Sequence, residues 1–272
     1  MRKPCQSKRL RINMSGNETI LPGGKGVWIP IDHGVSDYPV EGLEDLDSLI
    51  KTLAESGVDA IVAHKGVVSK YGHLHEGHMI AHLSVSTRHS GKHNSDKVLV
   101  GTVEEVVSRG ACGVSVQVNM GSKYEHKMIE RLGMISCDTH KFGVPLLGMI
   151  YPRGENLKIM ENDDTNASAH AARLAFELGC DVVKTKWTGD PISFAKVCKS
   201  VPIPVLIAGG PYDSDIDTML DIVKQSIDAG GSGVCMGRHV FSHSNPGAVV
   251  TALKAIVHEG FSVSEAKLKS GL

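Results

Sequence analysis

No CxxC pair occurs in the chain, and its six cysteines (Cys5, Cys112, Cys137, Cys180, Cys198, Cys235) lie scattered. That spacing argues against a disulfide framework or a cysteine zinc site and for reduced thiols. Charge of one sign is lacking too: 29 basic side chains face 30 acidic ones, which leaves no field for nucleic acid or an anionic membrane. No apolar run approaches the ~20 residues of a membrane span. The N-terminal stretch MRKPCQSKRLRIN is basic but has no apolar core of a signal peptide, so a cytoplasmic protein is expected. There is no linker, low-complexity tract or composition break. The length of 272 residues with 41% hydrophobic residues suits one large core.

What is present is repetition of type. From residue 26, short β-branched runs alternate with helical patterns: 26–32, 60–66, 113–121, 145–154, 181–190, 204–210 and 233–238 read as strands. The third strand has two candidates, 79–86 or 97–101. Helices are expected at 43–57, after 101, and within 124–142, 167–179, 194–200, 215–229 and 246–258. Continuous apolar strands imply a parallel sheet covered on both faces. Eight strand–helix units in about 240 residues favour a closed (β/α)8 barrel over an open sheet, as one domain spanning 1–272, with residues 1–22 as an arm or short helix across its bottom.

In such barrels the chemistry sits at the C-terminal strand ends. Those ends are polar here: Asp32-His33, His64-Lys65, Asn119, Tyr151, Lys184 with Lys186, Gly209-Gly210 and Gly237-Arg238. Two lysines on an apolar strand are costly unless used or paired. Alternation puts Lys184, Lys186 and Thr188 on one face, toward the barrel axis, with Trp187 toward the outer helices. Two close ammonium groups lower a pKa, and a lysine so tuned is a nucleophilic amine. The other reading is that both lysines pair with inward carboxylates such as Asp32. Asp32 suits proton transfer or a substrate hydroxyl, and equally a salt bridge. Tyr151, before the turn Pro152-Arg153-Gly154, is a general acid/base or a packed ring. The glycine loops after the last two strands match the usual phosphate cradle of this fold, with Arg238 as an added donor; the alternative is glycine needed for turn geometry alone.

The histidines His73, His75, His78 and His82 fit no metal-ligand spacing and read as a solvated loop touching substrate; the acids of ENDDTN (161–166) also read as solvated. No metal and no cofactor is expected.

Taken together, IPIDHGVS (29–36), AHKGVV (63–68), VNMGSKYE (118–125), GMIYPRG (148–154), DVVKTKWTGD (181–190), IAGGP (207–211) and MGRHVF (236–241) resemble the archaeal-type class I aldolases over nearly the whole chain. The resemblance implies that Lys184 forms a Schiff base and that Asp32 and Tyr151 take the family's aspartate and tyrosine roles. Lys186 departs from the family pattern, and a tuning role is expected for it. The resemblance further implies that Gly209, Gly210, Gly237 and Arg238 hold a phosphate, and that His33, His64, Lys65 and Arg153 contact substrate. The implied partners are small: a phosphorylated ketose and an aldehyde acceptor, handled by a homo-oligomer, often a decamer in the family. Within the family, DHGVS, HKG and AHLS are nearer to the synthases that deliver a keto fragment to aspartate semialdehyde, toward aromatic precursors, than to the fructose-bisphosphate aldolases. Relatives using dihydroxyacetone phosphate are an alternative, and Tyr151 argues against a thiolase relative. A phosphosugar isomerase with Asp32 or His64 as base, or a non-enzymatic phosphate sensor, are the rival classes.

Overall fold

The computed structural model describes residues 18–158, 163–210 and 215–272. Residues 1–17 of the expected arm, residues 161–162 of the ENDDTN stretch and Pro211 after the seventh-strand glycines lie outside them.

Among the described residues ten strands form: β1 (Gly26–Pro30), β2 (Ala60–Ala63), β3 (Met79–His82), β4 (Ser84–Val85), β5 (Val98–Leu99), β6 (Gly113–Met120), β7 (Leu146–Pro152), β8 (Val182–Thr185), β9 (Val205–Ala208) and β10 (Gly233–Cys235). Eight of them close into a parallel barrel in the order β1-β10-β9-β8-β7-β6-β3-β2. The two candidates for a third strand are both strands, with different fates. Met79–His82 enters the barrel, whereas β5 pairs antiparallel with β4 as a two-stranded ribbon beside the mouth.

Strand alternation sorts side chains into two cores. Residues such as Val27, Ile29, Ile61, Val183, Val205 and Val234 face outward and pack against the helices. Trp28, Val62, Ile80, Leu147, Met149, Val182, Leu206 and Cys235 face inward and fill the barrel. Ile20 and Leu21, both buried, join that inner layer, and Trp28 Nε1 donates to the Ile20 carbonyl at 2.6 Å. The segment just ahead of β1 therefore stops the lower end of the barrel. Trp187 packs in the outer layer with its ring 5.1 Å from that of Phe194, as strand alternation predicts.

The outer helices begin where the sequence supplies caps. Asp45, Thr102, Asp163, Asp190, Asp215 and Asn245 each accept a backbone N–H of the first helical turn, a contact worth about 1 kcal/mol. Gly148 on β7 shows how closely helix and strand approach: a Cβ there would lie 2.8 Å from Cys180 Sγ and 3.2 Å from Ala175 Cβ.

Candidate active site

The C-terminal strand ends surround a cavity of about 560 Å³. Its walls come from widely separated parts of the chain: Asp32 and His33 after β1, Tyr151 and Arg153 from β7, Lys184 from β8, Gly209 and Gly210 after β9, and Cys235, Gly237 and Arg238 from β10 onward. Register places the inward side chains. Lys184 pairs with Met149 and Leu206 on the neighbouring strands, Tyr151 with Asn119, and Cys235 with Ala208 and Trp28.

Lys184 is 7% exposed, so its ammonium group has little water and must be held by the protein. It interacts with the Tyr151 hydroxyl and the Cys235 thiol. Burial works against its charge, yet Cys235, Tyr151 and Asp32 outweigh that and raise its pKa above the ordinary lysine range. Burial pushes up the Cys235 thiol and the Tyr151 phenol, so both are neutral near pH 7. Asp32 is then the anion that keeps the proton on Lys184. Burial also pushes the Asp32 carboxyl up, but His82, His33, Lys184 and His64 together bring it down to about 2.

This corrects the expectation for the second lysine. β8 ends at Thr185, and Lys186 turns away to bond the Asp164 carboxylate at 2.7 Å. An acid at the start of the preceding helix pairs with it, and the Lys184 pKa moves upward, not down. Lys186 still lines the cavity wall. Lys65 is also placed otherwise than expected: it stands on a helix outside the cavity lining and bonds Glu105 at 3.0 and 3.2 Å. His64 sits behind the wall, its Nδ1 2.9 Å from the His82 carbonyl.

The histidine stretch is not a solvated loop. His75 and His78 stack at 4.4 Å and bond the carbonyls of Val58 and Asp59 just ahead of β2, at the opposite end of the barrel. His82 ends β3 at the mouth, 2% exposed, with Nδ1 2.7 Å from Ser115 Oγ and Nε2 3.8 Å from Asp32 Oδ2. Its burial drives its pKa down to about 3, so it is a neutral ring. Among the described residues, no three His, Cys, Asp or Glu side chains are arranged to hold a metal ion. His33 is a neutral ring as well, lowered by burial, with Nδ1 3.8 Å from Asp32 Oδ1.

Cys235 and Lys97 line the cavity without having been singled out in the sequence, and His82, read there as part of a solvated loop touching substrate, is instead a buried strand residue at the mouth. The signal for His82 and Cys235 was alternation: His82 follows inward Ile80, and Cys235 ends the apolar run of β10. Lys97 gave no such signal, because it belongs to the ribbon.

The glycine loops combine close packing with a left-handed backbone. A Cβ on Gly237 would come within 2.2 Å of the Pro30 carbonyl oxygen, so packing alone demands glycine there. Gly210 differs: its φ is +67° and a Cβ added there would meet no atom within 4 Å, so the left-handed backbone, not packing, favours glycine. Arg238 Nη2 donates to the Gly210 carbonyl at 2.5 Å, tying the two loops together.

The comparisons agree with this geometry. Residues 27–243 match the family of DeoC/LacD aldolases. The chain belongs to that family. Aldolases of this family make and break carbon–carbon bonds, and the chain is such an enzyme. It is 38% identical over 246 residues to the 2-amino-3,7-dideoxy-D-threo-hept-6-ulosonate synthase of Halobacterium salinarum, covering 90% of this chain and 91% of the relative. It is also 38% identical over 245 residues to the 2-amino-4,5-dihydroxy-6-oxo-7-(phosphonooxy)heptanoate synthase of Streptomyces griseus, covering 89% and 88%. Among solved structures, an archaeal fructose-1,6-bisphosphate aldolase with its catalytic lysine covalently bound to the carbinolamine intermediate matches with a TM-score of 0.79 at 31% identity. That match covers 89% of this chain and 98% of the other. No helix among the described residues is long and apolar enough to cross a membrane.

Proposed function

We propose that this aldolase uses Lys184 as its Schiff-base nucleophile, taking a keto fragment from a phosphorylated ketose and joining it to an aldehyde, with aspartate semialdehyde as the acceptor. The observation that carries the reading is the buried Lys184 amine, set between the Tyr151 hydroxyl and the Cys235 thiol and facing the cavity. The free amine adds to the ketose carbonyl, and the carbinolamine loses water to give an iminium. Asp32 orients the carbinolamine hydroxyl as it leaves. The carbon–carbon bond next to the iminium breaks with its electron pair moving onto the nitrogen, while the departing hydroxyl gives its proton to Tyr151, which passes its own on to water in the cavity. The enamine then attacks the acceptor aldehyde, Tyr151 returns the proton to the new alkoxide, and water releases the product from Lys184.

Gly209, Gly210, Gly237 and Arg238 hold the phosphate, a reading supported by their common place in the cavity wall and the tether from Arg238 to the Gly210 carbonyl. Fixing the far end of the ketose supplies orientation at the reacting carbon. The phosphate charge keeps such ketoses inside the cell, which argues for a cytoplasmic enzyme. The likeness to the archaeal fructose-bisphosphate aldolase favours a second reading, in which glyceraldehyde 3-phosphate takes the place of the semialdehyde.

Borohydride reduction in the presence of a keto-phosphate donor, followed by peptide mass spectrometry, tests the first step. An adduct on Lys184 is expected, and its absence from every lysine ends the Schiff-base reading. Product mass after incubation with each aldehyde in turn separates the two acceptors.

A further inference from the structure

Ring order puts β9 and β10 across the barrel from β3 and β6. The glycine loops and Arg238 therefore occupy one wall of the mouth, and the opposite wall is built from β6 and from the ribbon that follows β3. Lys97 stands on that ribbon, and Arg153 follows β7. These two cations line the main cavity, and both also line an adjoining cavity of about 270 Å³ with Asn94, Ser95, Asn119 and Gly154.

Several other cations near the mouth are paired with carboxylates: Lys65 with Glu105, Lys186 with Asp164, Arg131 with Asp96. Among the described residues, no carboxylate lies within ion-pair distance of Lys97 or Arg153. The Arg153 side chain and the backbone at Lys97 are nonetheless held in place. Arg153 Nε donates to Asn119 Oδ1 at 2.9 Å, and its guanidinium lies 4.7 Å from the centre of the Tyr151 ring. Arg131 Nη1 donates to the Lys97 carbonyl at 2.7 Å, which pins the ribbon. Two cations facing one cavity repel each other and attract an anion. Lys97 feels that repulsion: burial first, then Arg153, lower its pKa.

We propose that Lys97 and Arg153 form the subsite that holds the anionic end, carboxylate or phosphate, of the acceptor aldehyde. The inference rests on the aldolase reading and adds the determinant of acceptor choice. Substrate then spans the mouth, its donor phosphate on the β9–β10 wall and its acceptor anion on the ribbon wall. Lys184 and Tyr151, on β8 and β7 between those walls, stand beside the bond being made.

The test compares three aldehydes of similar length at saturating donor: succinic semialdehyde, glyceraldehyde 3-phosphate and neutral butanal. Lys97→Met should lower kcat/KM for the anionic aldehydes about tenfold to a hundredfold, the range of a lost charge-assisted hydrogen bond, and change butanal less than twofold. Lys97→Arg should restore most of the loss. The anionic aldehyde that the unaltered enzyme uses better identifies carboxylate or phosphate as the ligand. An equal loss on all three, or no loss on the anionic pair, overturns the subsite. Calorimetric titration of 4-hydroxybutyrate into the unaltered protein and Lys97→Met reads the subsite without any chemistry. Affinity should weaken at least tenfold in the variant, and an unchanged affinity counts against the subsite. Borohydride trapping of the unaltered protein with donor alone reports separately on the Schiff-base reading.

Discussion

Lys184 and Lys186 are two residues apart, yet their ammonium groups belong to different environments: Lys184 is buried beside Tyr151 and Cys235, and Lys186 bonds the half-exposed Asp164 at 2.7 Å. The two substitutions should therefore fail differently. Lys184→Met should abolish both turnover and the borohydride adduct. Lys186→Met should keep the adduct on Lys184 and leave the pH dependence of adduct formation in place, since an exposed ion pair is worth about 0–1 kcal/mol. Peptide mass spectrometry across a pH series reads both, and a shifted profile in Lys186→Met would restore it as a tuning residue.

The raised pKa of Lys184 sets the direction of that profile. Below the folded pKa the free amine is the minor species, and its fraction grows about tenfold per pH unit. Initial adduct formation should accordingly climb from pH 6.5 to 9 without a plateau. Asp32→Asn removes the anion that holds the proton, so the rise should move to lower pH even where overall turnover falls. A plateau near pH 7 in the unaltered enzyme, or no movement in the variant, contradicts this account.

The Tyr151 hydroxyl bonds the Lys184 amine, and in the proposed mechanism it moves the aldol proton. Tyr151→Phe should form the adduct and stall before carbon–carbon bond cleavage, with product formation at least a hundredfold slower, the usual span of a general acid/base contribution being about 10²–10⁴. Rapid-quench trapping shows accumulation directly. Normal turnover reduces Tyr151 to packing.

The two glycine loops separate packing from phosphate binding. Gly237→Ala drives a methyl against Pro30, His33 and Phe241 and should lower stability by about 1–3 kcal/mol. Gly210→Ala meets no atom, costs only the roughly 1 kcal/mol of a left-handed backbone, and should instead raise KM for a phosphorylated ketose. Arg238→Ala should do the same while sparing an unphosphorylated analogue. Thermal melts beside Michaelis constants distinguish the cases.

His82 supplies an acid-sensitive element. Its pKa of about 3 lies below the ordinary histidine value because burial disfavours the charged ring. A histidine depressed in the folded state contributes stability above the unfolded pKa of about 6.5, and loses it at about 1.4 kcal/mol per pH unit on acidification. Between pH 6.5 and 4.5, Tm should fall further in the unaltered protein than in His82→Gln. Parallel curves would show that the ring titrates freely.

The barrel was legible because eight apolar runs alternate with capped amphipathic helices, and because polar residues collect at one end of each run. That same pattern exposed Asp32, Tyr151, Lys184 and the glycine loops. What stayed hidden depends on partners distant in sequence. Lys186 is neutralised by Asp164 and Lys65 by Glu105, both acids on helices, and strand alternation carries no information about them. Cys235 looks like one more apolar strand residue, since a buried thiol and a small aliphatic group read alike. The β5 strand of the ribbon reads as a rival barrel strand because short β-branched runs do not announce their partners.

Trp28, Ile20 and Leu21 close the lower end of the barrel beneath Lys184. Among the described residues the floor of the reaction chamber is therefore closed, and what arrives at the amine comes and goes by the mouth. The fragment split from the donor has to clear that mouth before an acceptor can take its place. Under the proposed mechanism, traffic through a shared mouth favours a ping-pong order, with Lys184 holding the keto fragment while the two aldehydes exchange.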